Sequence, residues 1–238
     1  MKRLAGALVV AAASASVLAG QTPAKSELDK LQGSWIVTAA SGQDVPIGIV
    51  VNLRVDGNKY QSTRNGTVDE SGTLSVDSSK KPATIDFAIA VGKDAGQTQV
   101  GLLEIVDDTA TMSLAETGST ARPTAMTGTG ALTLARVKPL PKELTGDWDG
   151  VLDAAGAQMR LTIRLQNGAD GLATGTMISV DQGNREAPIA AVLVRGPRVT
   201  MLMPAIRGVY DAQLKDGQLT GNWTQPGGMR PLVLKRKG

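Results

Sequence analysis

Leu31-Gln-Gly33-Ser-Trp35 and Leu144-Thr-Gly146-Asp-Trp148 are one pattern written twice, and each has a companion downstream: Leu132-Thr-Leu134-Ala-Arg136 and Leu232-Val-Leu234-Lys-Arg236. Side chains alternate across a strand, so each Trp shares a face with its preceding Leu and Gly, and each Arg with its two Leu residues. All four are therefore expected to point inward. An unpaired buried guanidinium is costly, whereas one stacked on an indole is stabilised by about 0.5–2 kcal/mol. A sheet that closes on itself brings its first and last strands together and supplies that partner. The repeat thus predicts Trp35 with Arg136, and Trp148 with Arg236, as two closure devices in tandem. In the competing reading each Arg simply reaches water at a strand end.

The residues between these strands alternate with period two. Ile85, Phe87, Ile89 and Val91 are separated by Asp86, Ala88 and Ala90, and Met112 and Leu114 repeat the pattern. In the second half Met159, Leu161, Ile163 and Leu165 alternate with Arg160, Thr162, Arg164 and Gln166. Turns fall at Asp56-Gly57, Asn167-Gly168 and Asp170-Gly171. About eight strand-like runs fit between Trp148 and Arg236. Upstream, Ser26 caps a short helix with Asp29 in a weakened capping box. The fold class expected is all-β: two tandem small antiparallel β-barrels, residues 26–138 and 142–238, with a short helix before the first strand of domain 1. Lys138-Pro-Leu-Pro141 reads as a short stiff linker between them.

With 238 residues the chain is long enough for two cores, and its 28 glycines match a fold rich in tight turns. Lys2 and Arg3 precede an uncharged small and apolar stretch, Leu4 to Gly20, which reads as a signal peptide cleaved after Ala19 or Gly20. An uncleaved membrane anchor is the alternative. Gln21 stands where a lipoprotein needs Cys, so no lipid anchor is expected. The expectation is export to the periplasm or beyond, with no stable membrane insertion after cleavage. Without the signal, 23 basic face 22 acidic residues, a net charge of +1 that gives no reason to expect nucleic acid as a partner.

Neither Cys nor His occurs, which excludes disulfides, Cys nucleophiles, His general bases and zinc sites built on either residue. A Gly-x-Ser-x-Gly elbow is also missing. Ser78-Ser-Lys-Lys81 satisfies the Ser-x-x-Lys string of penicillin-recognising enzymes but stands in a polar turn without companion motifs. Candidate carboxylate pairs for glycosidase chemistry are Glu104 with Asp107 and Asp108, and Asp147 with Asp149 and Asp153. Turn and solvent-face roles account for such residues more often. Calcium at Asp107-Asp108 lacks a loop of alternating oxygen ligands. The strongest candidate for a ligand or partner loop is Asp181-Gln182-Gly183 with Asn184 and Arg185, set against a structural role in which Asp181 and Gln182 satisfy turn backbone groups. Met159, Met201 and Met203 read as core.

Gly-x-Trp on a first strand with Arg on a last one resembles lipocalin-like barrels. Leu28-Asp-Lys-Leu-Gln-Gly-Ser-Trp35, the run from Gly72 to Asp86, and Ala121-Arg122-Pro123-Thr124 resemble an uncharacterised lipocalin-like domain family typical of planctomycete secreted proteins. That family often has Tyr, Cys and Phe where this chain has Leu103, Ser113 and Met126, so the resemblance implies a relined pocket. Residues 139–238 are similar to a β domain ahead of the catalytic domain in some exported bacterial α/β-hydrolases. Gly146-Asp-Trp148-Asp-Gly150, Ile178-Ser-Val-Asp181-Gln182-Gly183, Pro188-Ile189 and Leu219-Thr-Gly221-Asn-Trp223-Thr-Gln225 carry that likeness. The hydrolase domain has no counterpart here, so its chemistry is not carried over. The expected function is a non-catalytic exported binding or interaction protein without a cofactor or metal, its partner a small molecule or an envelope protein. A carrier of a small apolar ligand inside one barrel is the alternative, and a carboxylate-based hydrolase the third reading.

Overall fold

The computed structural model describes residues 25–154, 156–168 and 172–238. The expected signal peptide and the Asp170-Gly171 turn lie outside them. The chain is all-β, in two successive barrel-like sheets. A helix α1 (Glu27–Leu31) precedes β1 (Gly33–Ala40), β2 (Gln43–Asp44), β3 (Val51–Asp56), β4 (Lys59–Arg64), β5 (Thr67–Asp77), β6 (Ala83–Gly92), β7 (Thr98–Val106), β8 (Thr109–Leu114) and β9 (Ala131–Arg136). The second sheet comprises β10 (Gly146–Ala154), β11 (Ala157–Asn167), β12 (Ala173–Ser179), β13 (Arg185–Ile189), β14 (Ala191–Arg195), β15 (Arg198–Met203), β16 (Gly208–Lys215), β17 (Gln218–Gln225) and β18 (Gly228–Arg236).

Ser26 closes a full capping box on α1: its hydroxyl accepts from the Asp29 N–H, and the Asp29 carboxylate accepts from the Ser26 N–H. In the first barrel β1 pairs with β3 through its first half and with β9 along most of its length, closing eight strands, while β2 is a hairpin appended to β1. In the second barrel β10 pairs with both β11 and β18. There β13 pairs with β12 and β14 with β15, so the run through Ala190 changes partner and the ring stops short of a complete ladder. This is nine strands, one more than the periodicity predicts, because one extended run serves as two.

Both interiors are filled by side chains. Trp35, Leu53, Tyr60, Ile85, Phe87, Leu103, Met112 and Leu134 pack in the first; Trp148, Ile163, Met201, Met203, Tyr210, Trp223 and Leu234 pack in the second. Tyr60 sets its ring edge-on to Phe87 at 4.8 Å between centroids and donates its hydroxyl to Glu70. Tyr210 donates to the carbonyls of Leu219 and Leu232. Burial pushes both tyrosine hydroxyls well above their ordinary pKa, so they remain donors.

Three local expectations are corrected. Asp56 belongs to β3, paired with Lys59, and the hairpin loop is Gly57-Asn58, with Gly57 at φ 59° in the position a type II′ turn reserves for Gly. Val91 is 55% exposed although Ile85, Phe87 and Ile89 are buried, because the register between β5 and β6 shifts at Ser71/Gly72 and carries the end of β6 past the core. The segment 138–141 is more than a spacer: Leu140 is buried, and Asn167 accepts from its N–H and donates to its carbonyl.

The two cores also meet. Ile36 and Ala135 are cross-strand partners on the outer face of the first barrel, opposite in parity to Trp35 and Leu134. Both are nonetheless buried, in one apolar cluster with Val137, Leu140 and the interior of the second barrel. Four consecutive residues of β1, Ser34 to Val37, are therefore buried where strict alternation predicts two.

Candidate functional site

The paired Trp and Arg residues close the barrels at one end. Arg136 stands directly opposite Trp35 in the β1–β9 ladder, its guanidinium carbon 4.1 Å from the ring centroid; for Arg236 over Trp148 the distance is 5.1 Å. Each indole N–H donates to the carbonyl of the Leu four residues back, Leu31 at 2.7 Å and Leu144 at 3.0 Å. Each guanidinium donates to backbone carbonyls of the entering segment: Arg136 to Gln32 and Lys30, Arg236 to Glu143 and Lys142. Gly33 and Gly146 take φ of 104° and 115°, and a Cβ on either would stand against the guanidinium at 3.6 and 3.2 Å. The Leu, Gly and Trp of the motif thus each have a physical reason. Only the Trp side chains are fully inside. Arg136 is half-buried and Arg236 exposed, because each lies across the barrel end like a lid, a correction to the inward expectation.

The Asp181 loop is held from within. Asp181 accepts from the Arg160 backbone N–H at 2.8 Å and from its guanidinium at 2.9 and 2.5 Å, and these bonds hold its carboxyl below the usual range. Gly183 takes φ 73° at the end of the 3-10 turn. Gln182 and Arg185 are exposed beside it.

The candidate carboxylates are likewise spread over structural tasks. Glu104 is exposed, Asp107 sits at φ 51° in the β7–β8 turn, and Asp108 pairs with Arg136 and Lys138. Asp147 pairs with Arg164, Asp149 accepts from the Thr162 hydroxyl at 2.6 Å, and Asp153 accepts from the Gly156 N–H. Ser78 accepts from the Glu27 N–H and docks α1. Among the described residues no group of three or more His, Cys, Asp or Glu gathers as a metal site, and no helix is long and apolar enough to cross a membrane. Arg122, which sequence reasoning assigned no task, pairs with Asp86 and donates to the carbonyls of Ile85 and Gly101, pinning the long β8–β9 connection across β6 and β7.

A concave site of about 560 Å³ opens between the barrels. One wall is the segment from Asp44 to Val50, which leaves β2 and enters β3. The other is the outer face of β14 to β17, presenting Leu202, Val209 and Thr224 in one cross-strand row and Thr200, Asp211 and Asn222 in the next. Arg195 and Arg198 line the same site. Arg198 grips Asp211 with two bonds, at 2.8 and 2.6 Å, and Thr200 adds a third. Gly48 turns at φ 91° over the Arg207 side chain, where a Cβ would come within 3.1 Å of its Cγ. None of these residues carries a catalytic or metal-binding motif, which is why sequence reasoning passed over them.

The Arg198 bonds, aided by Thr200, hold the Asp211 carboxyl below its usual range against the opposing effect of partial burial. A depressed folded-state pKa stabilises the fold above the unfolded value, near 3.8, and the contribution is lost as pH falls through the folded value. Melting temperature is therefore expected to drop below about pH 4. Asp211→Asn should lower it at neutral pH and flatten that acid limb, as read by thermal melts across pH 7 to 2.

No family model matches the chain, and no curated protein is significantly similar to it. Among solved structures, a protein of unknown function from the DUF3598 family of Nostoc punctiforme aligns over 90% of this chain and 100% of its own, at 13% identity and a TM-score of 0.25. A likeness that slight carries no structural or functional inference.

Proposed function

We propose that this chain is an exported, non-catalytic binding or interaction protein, and that its site is the cleft between the two barrels. One observation carries the reading: the barrel interiors are occupied by side chains, while the interbarrel cleft is open and lined by both apolar and hydrogen-bonding groups. Its volume of about 560 Å³ falls within the roughly 300–1,000 Å³ of small-ligand sites. The continuous apolar seam around Ile36, Ala135 and Leu140 supports it by holding the two walls in one geometry, so little is spent on ordering them at binding. Export rests on Lys2, Arg3 and the apolar run to Gly20, and membership of the planctomycete-type lipocalin-like family on the three motifs of the first half. The carrier reading, with a ligand inside one barrel, is weaker because it requires the packed Trp, Leu and Met side chains to be displaced.

Thr224→Trp places a large side chain on the cleft floor without touching either core. Native mass spectrometry of the mature chain from its source is expected to show a retained small molecule, absent from the Thr224→Trp variant at unchanged melting temperature. Equal retention by both proteins, or turnover of ester or glycoside substrates by the purified chain, overturns the proposal.

A further inference from the structure

We infer that the cleft takes a small amphiphile: an apolar body bearing one anionic group, held at the Arg195 end. This rests on the cleft being the binding site. Arg195 and Arg198 are direct cross-strand partners in the β14–β15 hairpin. Like charges placed opposite each other destabilise a ladder. Asp211 compensates Arg198 with a two-bond grip. Arg195 has no ion-pair partner among the described residues, although it lines the same cleft. Arg207, on the second barrel with its stem under Gly48 of the first, also has no ion-pair partner among the described residues but lies outside the cleft lining.

Among the described residues, Asp44, exposed on β2, is the acid on the lining without an ion-pair partner. It stands on the first barrel's wall and leaves the arginine side as the favourable end for an anion. Beyond the polar row of Thr200, Asp211 and Asn222 the lining turns apolar: Leu202 and Val209 lie on the floor, Ile47 is 40% exposed and Met229 65% exposed. An anion at Arg195 relieves the like-charge pair, and an apolar body covers the residues that water now meets. Both attractions act on one molecule only if it has both parts.

Two dyes of nearly the same shape separate the contributions: 8-anilinonaphthalene-1-sulfonate, which carries a sulfonate, and N-phenyl-1-naphthylamine, which is neutral. Fluorescence titration of the mature chain is expected to show the sulfonate binding about tenfold more tightly, the range of a hydrogen bond to a charged group. Arg195→Gln should remove that preference and leave the neutral dye unchanged, while Arg185→Gln, at the start of β13 and outside the cleft lining, should change neither. Thr224→Trp should weaken both. If Thr224→Trp weakens both dyes but Arg195→Gln leaves the preference intact, the anion site is overturned and the cleft stands. If Thr224→Trp affects neither, or if neither dye binds, the cleft itself falls and this inference with it.

Discussion

Trp35→Ala is expected to destabilise the protein by about 3–5 kcal/mol, the cost of removing a fully buried aromatic that the surroundings cannot refill. The loss has three parts: the buried area, the indole N–H bond to Leu31, and the surface on which Arg136 stacks. A double-mutant cycle with Arg136→Ala isolates the third, with a coupling of about 0.5–2 kcal/mol. Arg136→Lys should recover little of it. A lysine cannot stack as a plane while donating to the carbonyls of both Gln32 and Lys30. Urea melts of the wild type, the two single alanine variants, the double variant and Arg136→Lys measure all of this. A coupling near zero means that Arg136 merely reaches water beside the indole.

Ile36→Glu attacks the seam instead of a barrel. Ile36 is 1% exposed, yet its side chain leaves the first barrel and is covered by the second. A carboxylate there has no cation to pair with in the apolar cluster, and an uncompensated buried charge costs on the order of 3–5 kcal/mol. The cheaper outcome for the chain is to part the barrels and hydrate the new carboxylate. Small-angle scattering should show a longer particle, a single melting transition should become two, and dye binding in the cleft should be lost while the β-rich circular dichroism remains. Retention of a compact particle and of binding would show that the seam tolerates a charge and does not hold the walls of the cleft.

The two experiments probe features that differ in how far sequence reveals them. Trp35, Arg136, Trp148 and Arg236 are legible because closure forces the first and last strands of each half to meet, and a repeated sequence pattern records that meeting. The capping box at Ser26 and Asp29 is legible for the same reason: the groups involved are three residues apart. Ile36 was not legible. Alternation assigns it to a solvent face, and only the arrival of a second barrel changes its surroundings. The task of Arg122 was not legible because its partners, Asp86 and the carbonyls of Ile85 and Gly101, are far away in sequence.

The Asp181 loop shows the opposite limit. Its polar residues are those a binding loop would use, but the Arg160 backbone and side chain consume both carboxylate oxygens of Asp181. Polar side chains in a turn satisfy backbone donors as readily as ligand donors, and the amino acids are the same in either case.

By itself the sequence determined the all-β class, the tandem division, the capped helix and the Trp and Arg pairs that close each barrel, since period, caps and closure depend on local spacing or on a repeated pattern. The tertiary structure alone decided that the arginines lie across the barrel ends as half-buried or exposed lids, that Ile36 and Ala135 face a second core, and that a cleft lined by Arg195, Arg198 and Asp211 opens between the barrels. Those features arise where two separately patterned surfaces meet, and the relative placement of two surfaces leaves no period in either one.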